Sequence, residues 1–268
     1  MSLSRLLIAR QGPTRLVLVR HGESEGNLAD RDARERGAER LDLDVRDADI
    51  DLSPNGRRQA DALARWLAGA DPALRPDLVV TSPYRRATET ARRALDGLDV
   101  PVVQDERIRE RDLGAFDGLT GAGIRTVFPQ EAERRSKVGK FYYQPPSGES
   151  WADVTLRVRS FVGELREVAD DAVRTVWCFS HQAVIMSFRY VLEDLDEQEL
   201  LRMDRENRLG NASMTRYHRT DRGLELEVFA DTEAVDLAAA DTTHEHPQAG
   251  RGDEHHEGGR EREVAGRG

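Results

Sequence analysis

The chain has 268 residues, 38% hydrophobic and 34% charged, enough for one large domain with a packed core. No run of about 18 apolar residues occurs, which excludes a membrane-spanning helix, and the single cysteine, Cys178, excludes an intramolecular disulfide and a cysteine-zinc cluster. Of the net charge of −10, residues 231–268 carry −6 (ten acidic residues, four arginines); the remainder is nearly balanced, with no basic face that would suit nucleic acid.

Met1 to Arg10 holds only the short apolar stretch Leu6–Ala9 between two arginines, too short for a secretion signal, so the expected compartment is the cytoplasm. Leu16–Val19 is a continuous apolar run, the pattern of a strand buried on both faces. Ser53-Pro54 supplies an N-cap and a first-turn proline, and Ala60, Leu63, Ala64 and Leu67 follow at helical spacing. Leu78–Val80 reads as a second strand. Ser82-Pro83 repeats the helix-start signal, with Ala87, Ala91, Ala94 and Leu95 as the buried stripe, and Pro101–Val103 is a short third strand.

The longest helix is expected from Ser150 to Val168, with Val154, Val158, Phe161, Leu165 and Val168 on one face. Thr175–Phe179 is a fourth strand that places Cys178 in the core, and a helix follows through Ile185, Phe188 and Val191. Segments near Ser213–His218 and Leu224–Phe229 form an edge hairpin. Strands alternating with helices imply an α/β layered fold with a mostly parallel sheet in one domain over residues 1–230. Asp30–Asp51 and Gly118–Gly148 break the alternation and read as loops above the sheet, candidate lids or substrate walls. The tail, residues 231–268, is acidic and includes His244, His246, His255 and His256. Having few large apolar side chains, it is expected to be a disordered, solvated polar segment.

The residues just past each strand carry the chemistry. Arg20-His21-Gly22-Glu23-Ser24 and Asn27 come after the first, and Ser82 to Ala87, including Arg85 and Arg86, after the second. Glu110 comes after the third, among Arg107, Arg109 and Arg111, where a solvated ion-pair network is the rival reading. Ser180-His181-Gln182-Ala183 come after the fourth. Ligands of open parallel sheets bind beyond the carboxyl ends of the strands, so two histidines, several arginines and a carboxylate would converge in one crevice. Arginine forks match phosphate oxygens, a neutral imidazole can attack phosphorus, and a protonated carboxyl can donate to a leaving oxygen.

These segments, with Arg86-Ala87 through Thr90-Ala91 and Leu52–Ala60, resemble the histidine phosphatase superfamily in its phosphoglycerate mutase-like branch, from about Leu16 to Phe188. The resemblance implies a phosphoglycerate mutase-like, three-layer α/β/α sandwich with a mostly parallel central sheet. It also implies a mechanism through phosphohistidine that needs no metal or other cofactor. On it, His21 is the nucleophile. Arg20, Arg86 and His181 bind the transferring phosphoryl group, with Asn27 as a further contact, and Glu110 is general acid and then base. Arg86 is chosen over Arg85 because it directly precedes Ala87.

Lys140–Tyr143, Gly148–Trp151 and His181–Val184 are similar to the fructose-2,6-bisphosphatase type, and on that likeness Lys140, Tyr143 and Gln182 contact substrate. The pattern departs where that type has a tyrosine and this chain Gly121, an arginine and this chain Met186, and another tyrosine and this chain Trp151. Met186 is expected to point toward the substrate mouth, leaving a pocket depleted for a second phosphate. The expected activity is a metal-independent phosphatase for a small phosphorylated metabolite. A phosphoglycerate mutase and a catalytically silent phosphate-binding module are the alternatives. Oligomeric state is left open.

Overall fold

A computed structural model describes residues 12–167, 173–206, 209–238 and 240–244. The described strands are β1 (Arg15–Arg20), β2 (Leu78–Thr81), β3 (Val102–Gln104), β4 (Thr175–Ser180), β5 (Met214–Thr220) and β6 (Gly223–Asp231). They form a six-stranded sheet of order β3-β2-β4-β1-β5-β6. The four strands β3, β2, β4 and β1 run parallel, and β5 and β6 close the sheet as an antiparallel hairpin.

Alternation along the central strands sorts side chains into two cores. Leu16 and Leu18 of β1 and Val176 and Cys178 of β4 pack on one face with α6 (Trp151–Glu167) and α7 (Gln182–Leu192). Val17 and Val19 with Trp177 and Phe179 pack on the other, against α2 (Pro54–Gly69) and α3 (Arg85–Ala94). Helices on both faces make three layers, and the central strands read as unbroken apolar runs because neither face meets water. Cys178 sits fully buried in this core, where burial pushes its thiol up, the setting of a packed rather than a reactive cysteine.

The elements depart from the sequence reading in several places, and the expected loop Asp30–Asp51 begins inside a helix, Glu25–Glu35. Ser82 is not a helix cap: α3 begins at Arg85 with Tyr84 as the capping residue, and the Ser82 hydroxyl is used elsewhere. Gly118–Gly148 is not a plain loop but holds α4 (Gly121–Val127), capped by the Thr120 hydroxyl, and α5 (Pro129–Val138), which starts on a proline. The chain also stays folded past residue 230, through α9 (Glu233–Leu237) and on to His244. Val235 is fully buried against α2 in the same cluster as Leu63 and Leu67. Burial of one valine contributes about 1.5–3 kcal/mol, and hydrogen bonds from Trp66 to Glu233 and from Asn55 and Gln59 to the Asp241 carbonyl add to it. These contacts tie down a segment that composition alone marks as disordered. The rest of the expected tail lies outside the described residues.

Among the described residues no helix is long and apolar enough to cross a membrane.

Candidate active site

Strand register brings the two histidines together. Arg20 pairs with Ser180 at the carboxyl ends of β1 and β4, and the His21 N–H donates to the Ser180 carbonyl at 3.0 Å. His21 and His181 thus leave adjacent strands at matched positions, with ring centroids 5.1 Å apart. On the other side of β4 the Ser82 N–H donates to the Phe179 carbonyl, which sets Ser82 beside His181. All three sit at the carboxyl edge of the sheet.

The His21 loop is held against α2. A side chain at Gly22 would come within 2.5 Å of the Gly56 carbonyl, and one at Gly56 within 1.9 Å of the Glu23 carbonyl, so both positions require glycine for this approach. The Ser53 hydroxyl caps α2 through the Gly56 N–H and donates to the Glu23 carboxylate at 2.7 Å. The next helix, α1 (Glu25–Glu35), starts with a capping box in which Ser24 and Asn27 exchange side-chain and backbone bonds.

His21 is almost fully buried, and its Nδ1 lies 2.7 Å from the Gly22 carbonyl. A carbonyl accepts only, so Nδ1 carries the proton and Nε2 keeps its lone pair, the state of a nucleophile. Burial, then the charges of Arg86 and Arg20, hold the imidazole well below its ordinary titration range, which keeps it neutral. His181 is fully buried and is likewise held neutral by burial and Arg86. Its Nε2 lies 2.8 Å from the Ser82 hydroxyl, which already accepts from the Tyr84 N–H. His181 Nδ1 faces Glu110 Oε2 at 3.6 Å.

A cleft of about 630 Å³ opens above, lined by His21, Asn27, Tyr84, Arg86 and Glu110 among others. The Arg86 guanidinium is 4% exposed, stacks 5.1 Å from the Tyr84 ring and is held by the Asp47 carbonyl and carboxylate. Arg85 instead points to the surface and pairs with Asp51. Arg20 is fully buried behind the cleft wall, with Nη1 donating to the Leu209 carbonyl. Glu110 Oε1 accepts from the Arg111 N–H. The flanking Arg107 and Arg109 pair instead with Asp105 and Glu149. Asn27 Oδ1 accepts from the Ser24 N–H and from Asn211 Nδ2, which leaves its own Nδ2 as the donor for a bound anion.

The residues expected beyond the phosphoryl group divide. Tyr143 lines the cleft, although its hydroxyl donates to Glu131 at 2.8 Å. Lys140 and Gln182 do not line it. Lys140 Nζ is 2.8 Å from the buried Asp204 carboxylate, and Gln182 Nε2 donates to the same carboxylate. Asp204 belongs to α8 (Glu197–Glu206), and it draws both side chains away from the mouth. Met186 is fully buried in the core beside Val184, Ile185 and Phe188, not at the substrate mouth. The helix α7 is covered on more than one side, so no turn of it is left to face the cleft. The two irregular segments do line the cleft, through Leu41, Leu43 and Val45 from the first and Leu119, Ile124 and Pro145 from the second.

Sequence reasoning passed over Asn211 and Asp47, and it read Ser82 as part of a helix start and Arg111 as an ion-pair neighbour of Glu110. Ser82 sits directly at a strand's carboxyl end, a signal masked by the proline after it. Asn211 precedes β5, which pairs with β1, and this places it beside His21. Arg111 and Arg135 both line the cleft, and burial together with the Arg135 charge draws Arg111 down to about 10. Two cations so placed favour an anion between them.

Comparison with known proteins agrees with this geometry. Residues 16–232 match the sequence profile of the histidine phosphatase superfamily (branch 1). The chain is 32% identical over 197 residues to a 2,3-bisphosphoglycerate-dependent phosphoglycerate mutase of Chelativorans sp., which covers 70% of this chain and 86% of that one. It is 30% identical over 188 residues to the 6-phosphofructo-2-kinase/fructose-2,6-bisphosphatase of Gallus gallus, and there it spans only 34% of the relative's length against 70% of its own. Among solved structures, a mycobacterial glucosyl-3-phosphoglycerate phosphatase superposes with a TM-score of 0.62 at 28% identity, covering 81% of this chain and 98% of that one.

Proposed function

The chain belongs to the histidine phosphatase superfamily, and on that premise we propose that it hydrolyses a small phosphorylated metabolite through a phosphohistidine at His21, without a metal. The observation that carries this reading is the tautomer of His21: Nδ1 is tied to the Gly22 carbonyl and Nε2 is free at the foot of the cleft.

In the first step Nε2 attacks phosphorus as the ester P–O bond breaks. Arg86, His181 and the Asn27 amide hold the phosphoryl oxygens, Arg20 adds its charge from behind the cleft wall, and Glu110 gives its proton to the departing alkoxide. In the second step Glu110 takes a proton from water, whose oxygen displaces the histidine and releases inorganic phosphate. Electrostatic stabilisation by groups already fixed in place is the largest expected term. Asp47, Ser82 and Tyr84 keep Arg86 and His181 in those positions.

The charge on the phosphoryl group is met by arginines. Among the described residues no group of three or more His, Cys, Asp or Glu side chains is arranged to hold a metal ion. The catalytic unit in this reading extends to residue 244 rather than ending at 230. An acidic group elsewhere on the substrate would meet Arg111 and Arg135, a role that neither Lys140 nor position 186 can take from where they lie.

A panel of sugar phosphates and phosphoglycerates, assayed with and without EDTA, tests the reading. Phosphate release undiminished by EDTA supports it, and loss restored by Mg²⁺ contradicts it. Interconversion of 3- and 2-phosphoglycerate without net release supports the mutase named among the relatives instead. No turnover of either kind would leave a binding module.

A further inference from the structure

The segment 240–244 lies beyond residue 232, where the family match ends, yet it returns to the nucleophile loop. The Thr243 carbonyl accepts from the Asn211 N–H at 2.8 Å. The Thr243 hydroxyl donates to Asn211 Oδ1 at 3.0 Å and accepts from Gln59 Nε2 at 3.1 Å. Gln59 Nε2 also donates to the Asp241 carbonyl at 2.7 Å. Both amides are fully buried.

Each amide then reaches the His21 loop with its other end. Asn211 Nδ2 donates to the His21 carbonyl at 3.1 Å and to Asn27 Oδ1 at 3.2 Å. Gln59 Oε1 accepts from the Glu23 N–H at 2.8 Å. Between these two anchors lies Gly22, whose carbonyl fixes the His21 ring through Nδ1.

From this arrangement we propose that Thr243 is a positioning residue for the nucleophile. Backbone groups set the polarity of each amide: the His21 and Asp241 carbonyls only accept and take Asn211 Nδ2 and Gln59 Nε2, and the Glu23 N–H only donates and takes Gln59 Oε1. The Thr243 hydroxyl ties the two amides together, giving a hydrogen to Asn211 Oδ1 and taking one from Gln59 Nε2. Without it, Asn211 Oδ1 loses that donor in a buried setting, and the amide that anchors the His21 carbonyl is no longer fixed at its other end. The inference rests on the reading of His21 as nucleophile.

Thr243→Val keeps the shape and removes the hydroxyl. With p-nitrophenyl phosphate as the probe, kcat and the rate of phosphoenzyme formation should fall roughly 10-fold while KM stays within about 2-fold, the pattern of a misplaced reacting group. Thr243→Ser restores the hydroxyl and should restore kcat. Thr242→Val is the control: that hydroxyl donates to Asp236, away from both amides, and its loss should leave kcat unchanged. Rates normalised to single-turnover burst amplitude count only competent sites, so partial unfolding does not imitate the effect. Wild-type kcat in Thr243→Val, or a Thr243→Ser variant as slow as it, overturns the inference. A His21→Ala variant that still forms phosphoenzyme overturns the nucleophile assignment instead, so the two failures are told apart.

Discussion

The imidazoles of His21 and His181 lie 5.1 Å apart at 58°, each just past the end of one of two adjacent parallel strands. The two rings are tied at opposite positions: the Gly22 carbonyl at Nδ1 of His21 leaves Nε2 bare, while the Ser82 hydroxyl at Nε2 of His181 leaves Nδ1 facing Glu110. In the proposed mechanism the first ring attacks phosphorus and the second helps to hold its oxygens.

His21→Ala removes the attacking atom. Acid-labile, base-stable phosphoenzyme should no longer accumulate on mixing with substrate, and kcat should fall by about four orders of magnitude or more, the scale seen when a covalent nucleophile is deleted. Labelling at the wild-type level would assign the nucleophile elsewhere.

Burial and the neighbouring arginines lower the titration of both histidines, which sets the pH dependence. Attack needs neutral His21, so kcat/KM should hold below the ordinary imidazole value of about 6.5 and fall only at more acid pH. Stability follows the same sign. Below about 6.5 the unfolded chain binds protons that the folded one refuses, so stability is full above that pH and declines as pH falls toward the folded values. The slope is at most about 1.4 kcal/mol per pH unit for each histidine. Urea unfolding between neutral and mildly acid pH measures it, and an acid limb centred at or above 6.5 in the rate profile contradicts the assignment.

Ser82→Ala leaves His181 Nε2 buried without its hydrogen-bond partner. The loss of such a bond costs about 1–3 kcal/mol, which should appear as a fall in kcat of roughly 10- to 100-fold with KM little changed. A change confined to KM would show that Ser82 serves substrate binding alone.

Met186→Arg should not redirect the enzyme toward doubly phosphorylated sugars. The site is sealed in the core, where an unpaired charge costs on the order of 3–5 kcal/mol, a large share of ordinary domain stability. Chemical denaturation should show that loss. Specificity is tested at Arg135, on the cleft wall. Arg135→Ala should lower kcat/KM for esters bearing a second acidic group, relative to plain monoesters, by about 1–3 kcal/mol for a lost charged hydrogen bond. An unchanged ratio would remove Arg135 from substrate recognition.

Much of the fold, and the meeting of the two histidines, was legible in the sequence. Leu16–Val19 and Thr175–Phe179 are apolar on both faces, a pattern only a central parallel strand explains, and His21 and His181 stand directly after them. Ser53-Pro54 marks a helix start by local chemistry alone, and Ser53 does cap α2. Such signals depend on neighbours within a few residues, and the chain states them itself.

The tertiary structure decided which distant side chains meet. β4 enters the sheet between β1 and β2, so Ser82 becomes the partner of His181 and loses the capping role its sequence suggested. Lys140 finds Asp204, 64 residues away, and turns from the cleft; Arg135 takes its place there. Val235 and Thr243 fold back because α2 and the loop before β5 hold an apolar patch and two buried amides for them. The sequence alone determined period, face and cap, since these are properties of one segment. Which charge pairs with which, and which polar group is anchored by which, depends on strand order and helix packing. A buried donor or ion takes whichever partner the fold brings within about 3 Å.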